Sequence, residues 1–358
     1  MRFSTYFAAA AVFLLAVSVT VADDASTQPA TAPVDKVQLE AQFQNIAEPA
    51  IDESKLSDAT YRADADKRVK AYYAEKAKLA ARLLELSPDD TNAPTYLEAV
   101  LSDFQGRGDL KGAATFAQGI LAKTTDSTVK RECLFIIAMA DLSEPSLQKD
   151  AINAINTFIV AAPNDERIPG LLYAGASDLP NEADRNALAT RLQKDFADSA
   201  EAQMIEGLLW RRKQVGKPFT LSFTDAIGGQ AIDVKNYKGK VIVVDFWATW
   251  CGPCVAAMPE MKKTYVAYKD KGVVFLGVSL DAPESEGGLT KLKDFIRENN
   301  IPWPQYYQGN GWESEFSKSW KIQAIPAAFV IDADGNLANV DAFGNLDSIL
   351  PKMLEKGK

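Results

Sequence analysis

The sequence predicts two folded parts in one chain, an all-α domain followed by an α/β domain, and three observations predict it. From about Val37 to Arg212, apolar residues recur at three- and four-residue spacing within Ala/Leu/Glu/Lys-rich segments, the pattern of amphipathic helices. From roughly Val215 to Lys358, short apolar β-branched runs alternate with helical patterns. Within that second part, the strand-like run Val241 to Phe246 leads directly into a Cys-x-x-C pair and a helix start. A length of 358 residues and 47% apolar content suffice for two cores.

Residues 1 to 22 carry one cation, Arg2, then an apolar run, then small residues Val19 and Ala22 at a cleavage-like position, the pattern of a secretory signal peptide. Phe7 to Ala22 is 16 residues, short of the roughly 20 that a spanning helix needs, so no transmembrane span is expected after cleavage. No cysteine follows the run, which leaves no lipoprotein attachment site. Residues 23 to 36, rich in Ala, Thr, Pro and Asp, suit a disordered spacer. A net charge of −9 argues against a nucleic-acid partner, because phosphate binding needs a concentrated basic surface.

In residues 37 to 212, similar junctions recur about every 35 to 38 residues: Leu86-Ser87-Pro88-Asp89, Lys123-Thr124-Thr125-Asp126, Ala162-Pro163-Asn164-Asp165 and Phe196-Ala197-Asp198-Ser199. That period is close to the one of helix-turn-helix solenoids, tetratricopeptide-like arrays among them. A plain helical bundle satisfies the same pattern, and both readings predict a module that binds a protein partner or spaces the domains. Cys133 falls in an apolar helix and reads as a small buried hydrophobe. The basic turn Trp210 to Gln214 closes the helical part, with the domain boundary at about Lys213 to Lys217.

Cys251, directly after the strand and its turn, would stand at a helix N-terminus, where unpaired N–H groups and the macrodipole favour an anion. Lowering a thiol pKa from roughly 8.5 toward neutrality makes its thiolate a nucleophile at ordinary pH. Cys254, one turn on, is placed to resolve a mixed disulfide. Half a zinc site would need further ligands, but Cys133 is the one other cysteine and histidine is absent, so no metal or cofactor is expected. A purely structural disulfide over so short a loop would constrain the unfolded chain little.

The segment Asp245-Phe246-Trp247-Ala248-Thr249-Trp250-Cys251-Gly252-Pro253-Cys254 resembles the active-site segment of thioredoxin-like proteins. Pro259, five residues after Cys254, and Ala324-Ile325-Pro326-Ala327, ahead of a strand-like run, match further positions of that family. The resemblance implies a thioredoxin-like fold, a redox-active Cys251–Cys254 pair, and a cis Pro326 facing it. It also implies that Trp250, Gly252, Pro253, Ile325 and Pro326 meet the substrate, the Ile325 backbone pairing with an extended chain.

Within this part, Phe219 to Val234 reads as a hairpin about Gly228-Gly229, Val241 to Asp245 as the first central strand, and Gly252 to about Lys269 as the active-site helix. Val273 to Leu280 is a second apolar strand completing a βαβ unit. Residues 281 to 321 hold a helix near Leu289 to Asn299, the segment Ile301 to Tyr307, and a helix near Trp312 to Trp320. Such an insertion resembles the secreted TlpA/ResA branch of the family. Ala327 to Ile331, the Asp334-Gly335 turn and Leu337 to Asp341 form a closing hairpin, and Asp347 to Lys356 a last helix.

Members of that branch often carry a glutamate three residues after the second cysteine and an asparagine where thioredoxins have a buried aspartate. Here the two are exchanged, with Ala257 and Asp245 at those positions. The lysine that partners the thioredoxin acid is also missing, since Val273 to Leu280 contains none. A carboxylate at the end of a buried strand has a raised pKa and can accept a proton, so Asp245 is expected to deprotonate Cys254 through a water. A structural reading of Asp245, in which it caps local backbone groups, stands beside this one.

The expected activity is exported thiol-disulfide exchange. The Gly-Pro dipeptide resembles the reducing members, which implies disulfide-bearing protein substrates and, in an oxidising compartment, a membrane thiol electron donor. A thiol peroxidase on the same fold is the alternative, but Ala248 and Val244 stand where peroxiredoxins place threonine and proline. A third class is a partner-binding helical adaptor whose thioredoxin module senses redox state.

Overall fold

The computed structural model describes residues 35–55 and 58–356, so the expected signal peptide and residues 23–34 of the spacer lie outside the described residues. Residues 35 and 36 are already helical in role: Asp35 caps α1 (Lys36–Asn45) by accepting from the Val37 N–H. This corrects the spacer's end, because a carboxylate satisfies an orphan amide of the first turn.

The helices that follow are α2 (Ala59–Leu86), α3 (Ala93–Arg107), α4 (Leu110–Leu121), α5 (Ser127–Ser143), α6 (Ala151–Ala161), α7 (Ile168–Asp178), α8 (Glu182–Asp195) and α9 (Ala200–Arg212). Asp and Asn residues in the connecting turns start four of them, with Asp58, Asp109, Asp126 and Asn181 accepting from first-turn amides. From α1 to α8 each helix packs on its chain neighbours, and α3 also meets α5, as α5 meets α7. The first and second junctions are bonded to each other, and further bonds of the same span join other elements. Asp89 accepts from the Thr125 and Asp126 amides, 36 and 37 residues on, Arg167, just after the third junction, reaches back 35 residues to Glu132 of α5, and Arg191 of α8 reaches back 35 to Asn156 of α6. These bonds span 35 to 37 residues, matching the spacing of the sequence pattern. Cys133 is fully buried in α5, and burial pushes its thiol up to about 12, well away from thiolate chemistry at neutral pH.

The chain divides into two compact units between Ala202 and Gln203, ahead of the expected boundary at 213 to 217. The reason lies in the last turns of α9, whose side chains bind later residues: Trp210 meets Trp320 edge-on at 5.8 Å, and Arg212 pairs with Asp341 at 2.8 Å.

The second unit contains β1 (Ser222–Thr224), β2 (Ala231–Asp233), β3 (Val241–Trp247), α10 (Gly252–Tyr268), β4 (Val273–Ser279), α11 (Gly288–Asn299), β5 (Gln305–Tyr307), α12 (Glu315–Ser319), β6 (Ala327–Ile331), β7 (Leu337–Asn339) and α13 (Leu346–Lys356). β1 and β2 pair as an antiparallel hairpin, turning through Gly229 at φ +73°. The main sheet runs β5-β4-β3-β6-β7, with β3 parallel to β4, β4 parallel to β5, and β6 antiparallel to both β3 and β7. Every residue of β3 is buried, which accounts for its unbroken β-branched run. This is a thioredoxin-like fold, with the first cysteine just beyond the end of its central strand.

The 281–321 segment gains a strand and has one helix shorter than expected. Ile301 to Tyr307 ends in β5, held because Asp225 accepts from the Gln305 amide and the Ala226 amide donates to the Gln305 carbonyl. The helix expected from Trp312 to Trp320 is shorter: a single 3-10 turn, Gly311–Glu313, precedes α12, which Ser314 caps.

Candidate active site

β3 delivers the chain to the site and α10 receives it. Cys251 is the N-cap of α10, with Gly252 and Pro253 in the first turn, where a proline loses no helical hydrogen bond. Cys251 and Cys254 form a disulfide and are 5% and 3% exposed, so the redox pair is nearly covered. The Cys254 N–H points at Cys251 Sγ from 3.3 Å, the orientation that would stabilise a thiolate there. The open side lies at Gly252, which is exposed and where an added Cβ would meet nothing within 4 Å. A partner's backbone can approach there.

Opposite, the Ile325–Pro326 peptide is cis, and the Ile325 carbonyl oxygen lies 3.8 Å from Cys251 Sγ. Both residues are half-buried. Trp250 stands 54% exposed beside the disulfide, its indole N–H donating to the Leu280 carbonyl at 3.2 Å.

The acid expected on β3 lies beneath the pair. Asp245, 3% exposed, stands in register between Gly277 of β4 and Ala328 of β6. Burial raises its pKa from 3.8 to about 7, because a carboxylate loses hydration in an apolar surround. Asp245 and Cys254 line one crevice with Ala257, Met258, Met261 and Pro326. Ala257 thus faces the same space as Asp245, so an acid from either the helix or the strand would reach it. The crevice is tight while the disulfide is closed, so a water between Asp245 and Cys254 would need it to open first.

Two contributors were missed from sequence. Asp281, 2% exposed, accepts from the Thr249 N–H at 3.0 Å, Thr249 Oγ1 at 2.6 Å and Ser279 Oγ at 2.7 Å, and so anchors the loop ahead of Cys251. A signal existed, since β3 and β4 pair at a constant offset (Val241 with Val273, Trp247 with Ser279) that carries Thr249 opposite Asp281. Trp312, 39% exposed, meets Trp250 at 6.0 Å and extends the aromatic surface beside the disulfide. Nothing in its local pattern set it apart.

A thioredoxin-like sheet carrying a Cys-Gly-Pro-Cys disulfide at a helix N-terminus, against a cis-proline, defines a thiol-disulfide oxidoreductase. Comparison with known proteins agrees. Residues 214–348 match the Redoxin family. The chain is 32% identical over 126 residues to thiol-disulfide oxidoreductase ResA of Bacillus thuringiensis, covering 35% of this chain and 68% of that protein. It is 30% identical over 111 residues to sporulation thiol-disulfide oxidoreductase A of Bacillus subtilis, covering 31% and 64% respectively. Among solved structures, the thioredoxin domain of a thiol-disulfide oxidoreductase from Bacteroides vulgatus is 26% identical, covering 37% of this chain and 96% of that domain with a TM-score of 0.33. The chain belongs to the ResA family of thiol-disulfide oxidoreductases, and its substrates are therefore disulfide-bearing.

Proposed function

We propose that the protein is an exported reductase of protein disulfides, with Cys251 as nucleophile, Cys254 as resolving thiol and Asp245 as proton acceptor. The observation that carries this reading is Cys251 at the α10 N-terminus, between the Ile325 carbonyl and the open side at Gly252. In the dithiol form, the Cys251 thiolate attacks one sulfur of the substrate disulfide. That bond breaks, an enzyme–substrate disulfide forms, and the other substrate sulfur leaves as a thiol after taking a proton. Asp245 then accepts the Cys254 proton, Cys254 attacks Cys251 Sγ, and the second substrate sulfur departs with a proton. Two electrons pass to the substrate, and the enzyme ends in the disulfide form described here.

Trp250, Pro253 and Pro326 supply the apolar contact around the attacked sulfur, while Gly252 and the Ile325 backbone leave room for an extended chain. An external dithiol must return the electrons; the resemblance points to a membrane thiol carrier. Export is supported by the pattern of residues 1 to 22, although among the described residues no helix is long and apolar enough to cross a membrane. The helical unit is proposed to bind a protein partner.

The equilibrium of the Cys251–Cys254 pair against a glutathione buffer tests the direction. A potential near about −270 mV fits a reductase, and one near about −120 mV would mark an oxidant instead.

A further inference from the structure

Residues 320–323 lead into the cis-proline, and they are held from outside the sheet by α9. Arg211 Nη1 donates to the Lys321 carbonyl and, at 3.5 Å, to the Trp320 carbonyl. Trp210 meets Trp320, which packs in turn on Phe219 at 5.1 Å and Phe329 at 5.4 Å. Lys321 Nζ pairs with Glu206 at 2.7 Å and lies 5.8 Å over the Trp210 ring. That ion pair is solvent-exposed and contributes little by itself. The backbone contacts matter more.

Lys321 has φ +49°, a left-handed conformation unfavourable for a residue with a Cβ; it closes α12, where the Lys321 amide donates to the Lys318 carbonyl and the Ile322 amide to the Ser317 carbonyl, and α9 braces that turn from outside. Gly207 explains how α9 comes so close. A Cβ at Gly207 would lie 3.1 Å from the Lys321 carbonyl oxygen and 2.9 Å from Gln323 Oε1. Glycine inside a helix is unfavourable, so its presence in α9 follows from this approach rather than from helix formation.

We propose that α9 is a positioning element for the cis-proline loop. Gly207, Trp210 and Arg211 fix residues 320–323, and so set where the Ile325 backbone stands relative to Cys251. The affinity for the extended chain flanking a substrate disulfide depends on that placement, because strand pairing tolerates little displacement of its donors and acceptors. This inference rests on the reading of Ile325 as substrate-pairing backbone.

The test uses Gly207→Ala and Arg211→Ala in the full chain, with helicity checked by circular dichroism. Each is assayed on a peptide disulfide with chain on both sides of the bond and on bis(2-hydroxyethyl) disulfide, which reaches only the sulfurs. KM for the peptide should rise about tenfold with kcat within about twofold, the scale of one lost hydrogen bond. The small disulfide should react as with the unaltered protein, and Arg211→Lys, which keeps one donor, should recover part of the affinity. Hydrogen exchange at the amides of Ala324, Ile325 and Ala327 should quicken in both alanine variants. Unchanged peptide KM, or an equal loss on both substrates, would overturn the proposal. If the unaltered protein reduces neither disulfide, the reductase reading fails, and the exchange measurement still decides whether α9 holds the loop: unchanged exchange overturns it.

Discussion

Replacing Asp245 by asparagine separates acid chemistry from packing, because the two side chains are nearly isosteric. In the folded oxidised protein, burial raises the Asp245 pKa from 3.8 to about 7. Between those values the folded chain holds a proton that the unfolded chain has released, so stability falls as pH rises from about 4 to about 7. The full move corresponds to ~4 kcal/mol, reduced where the site relaxes or admits water. Asparagine carries no such penalty. Oxidised Asp245→Asn should therefore exceed the unaltered protein in stability by about 2–4 kcal/mol at pH 8, and match it within about 1 kcal/mol at pH 4. Urea unfolding followed by tryptophan fluorescence at pH 4, 6 and 8 measures this. Turnover should move the opposite way, falling about 100-fold at pH 7 and losing the rise with pH through about 7 that proton acceptance by Asp245 predicts. Unaltered turnover together with an unaltered pH–stability profile would refute both the burial argument and the assigned role.

The loop ahead of Cys251 supplies two further tests by the same unfolding assay. Asp281→Ala leaves the buried Ser279 hydroxyl and the half-buried Thr249 hydroxyl and amide without their shared acceptor, and should cost about 3 kcal/mol and slow turnover by misplacing Thr249 and Trp250. Thr249→Val removes the hydroxyl bond but keeps the amide bond, and should cost only ~1 kcal/mol.

The fold was legible wherever one local pattern decided the outcome. The β-branched run of β3 had to be a buried strand, and the cysteines that follow it had to open α10, because strand and helix periods leave little else. Asp245 was legible for the same reason, since its neighbours on both sides are apolar. What stayed hidden depends on residues far apart in the chain. β5 forms by pairing with β4 some 28 residues earlier and is braced by Asp225 and Ala226, which bind Gln305 across some 80 residues, and three polar and aromatic side chains do not announce either contact. The domain boundary moved because Trp210 and Arg211 in a helical pattern also bind Trp320 and Lys321, more than 100 residues later. That Met258, Met261 and Phe343 join Asp245 and Cys254 around one tight crevice is a packing result that helical spacing alone does not give.

The central claim, nucleophilic attack by Cys251 with resolution by Cys254, is tested most directly by trapping. Reduced Cys254→Ser protein is mixed with a disulfide-bonded peptide, quenched in acid and mapped by mass. The account predicts a peptide adduct on Cys251, released by dithiothreitol, with Cys133 unmodified because its buried thiol stays protonated. Absence of an adduct on Cys251 while Cys251→Ser forms one on Cys254 would contradict the assignment.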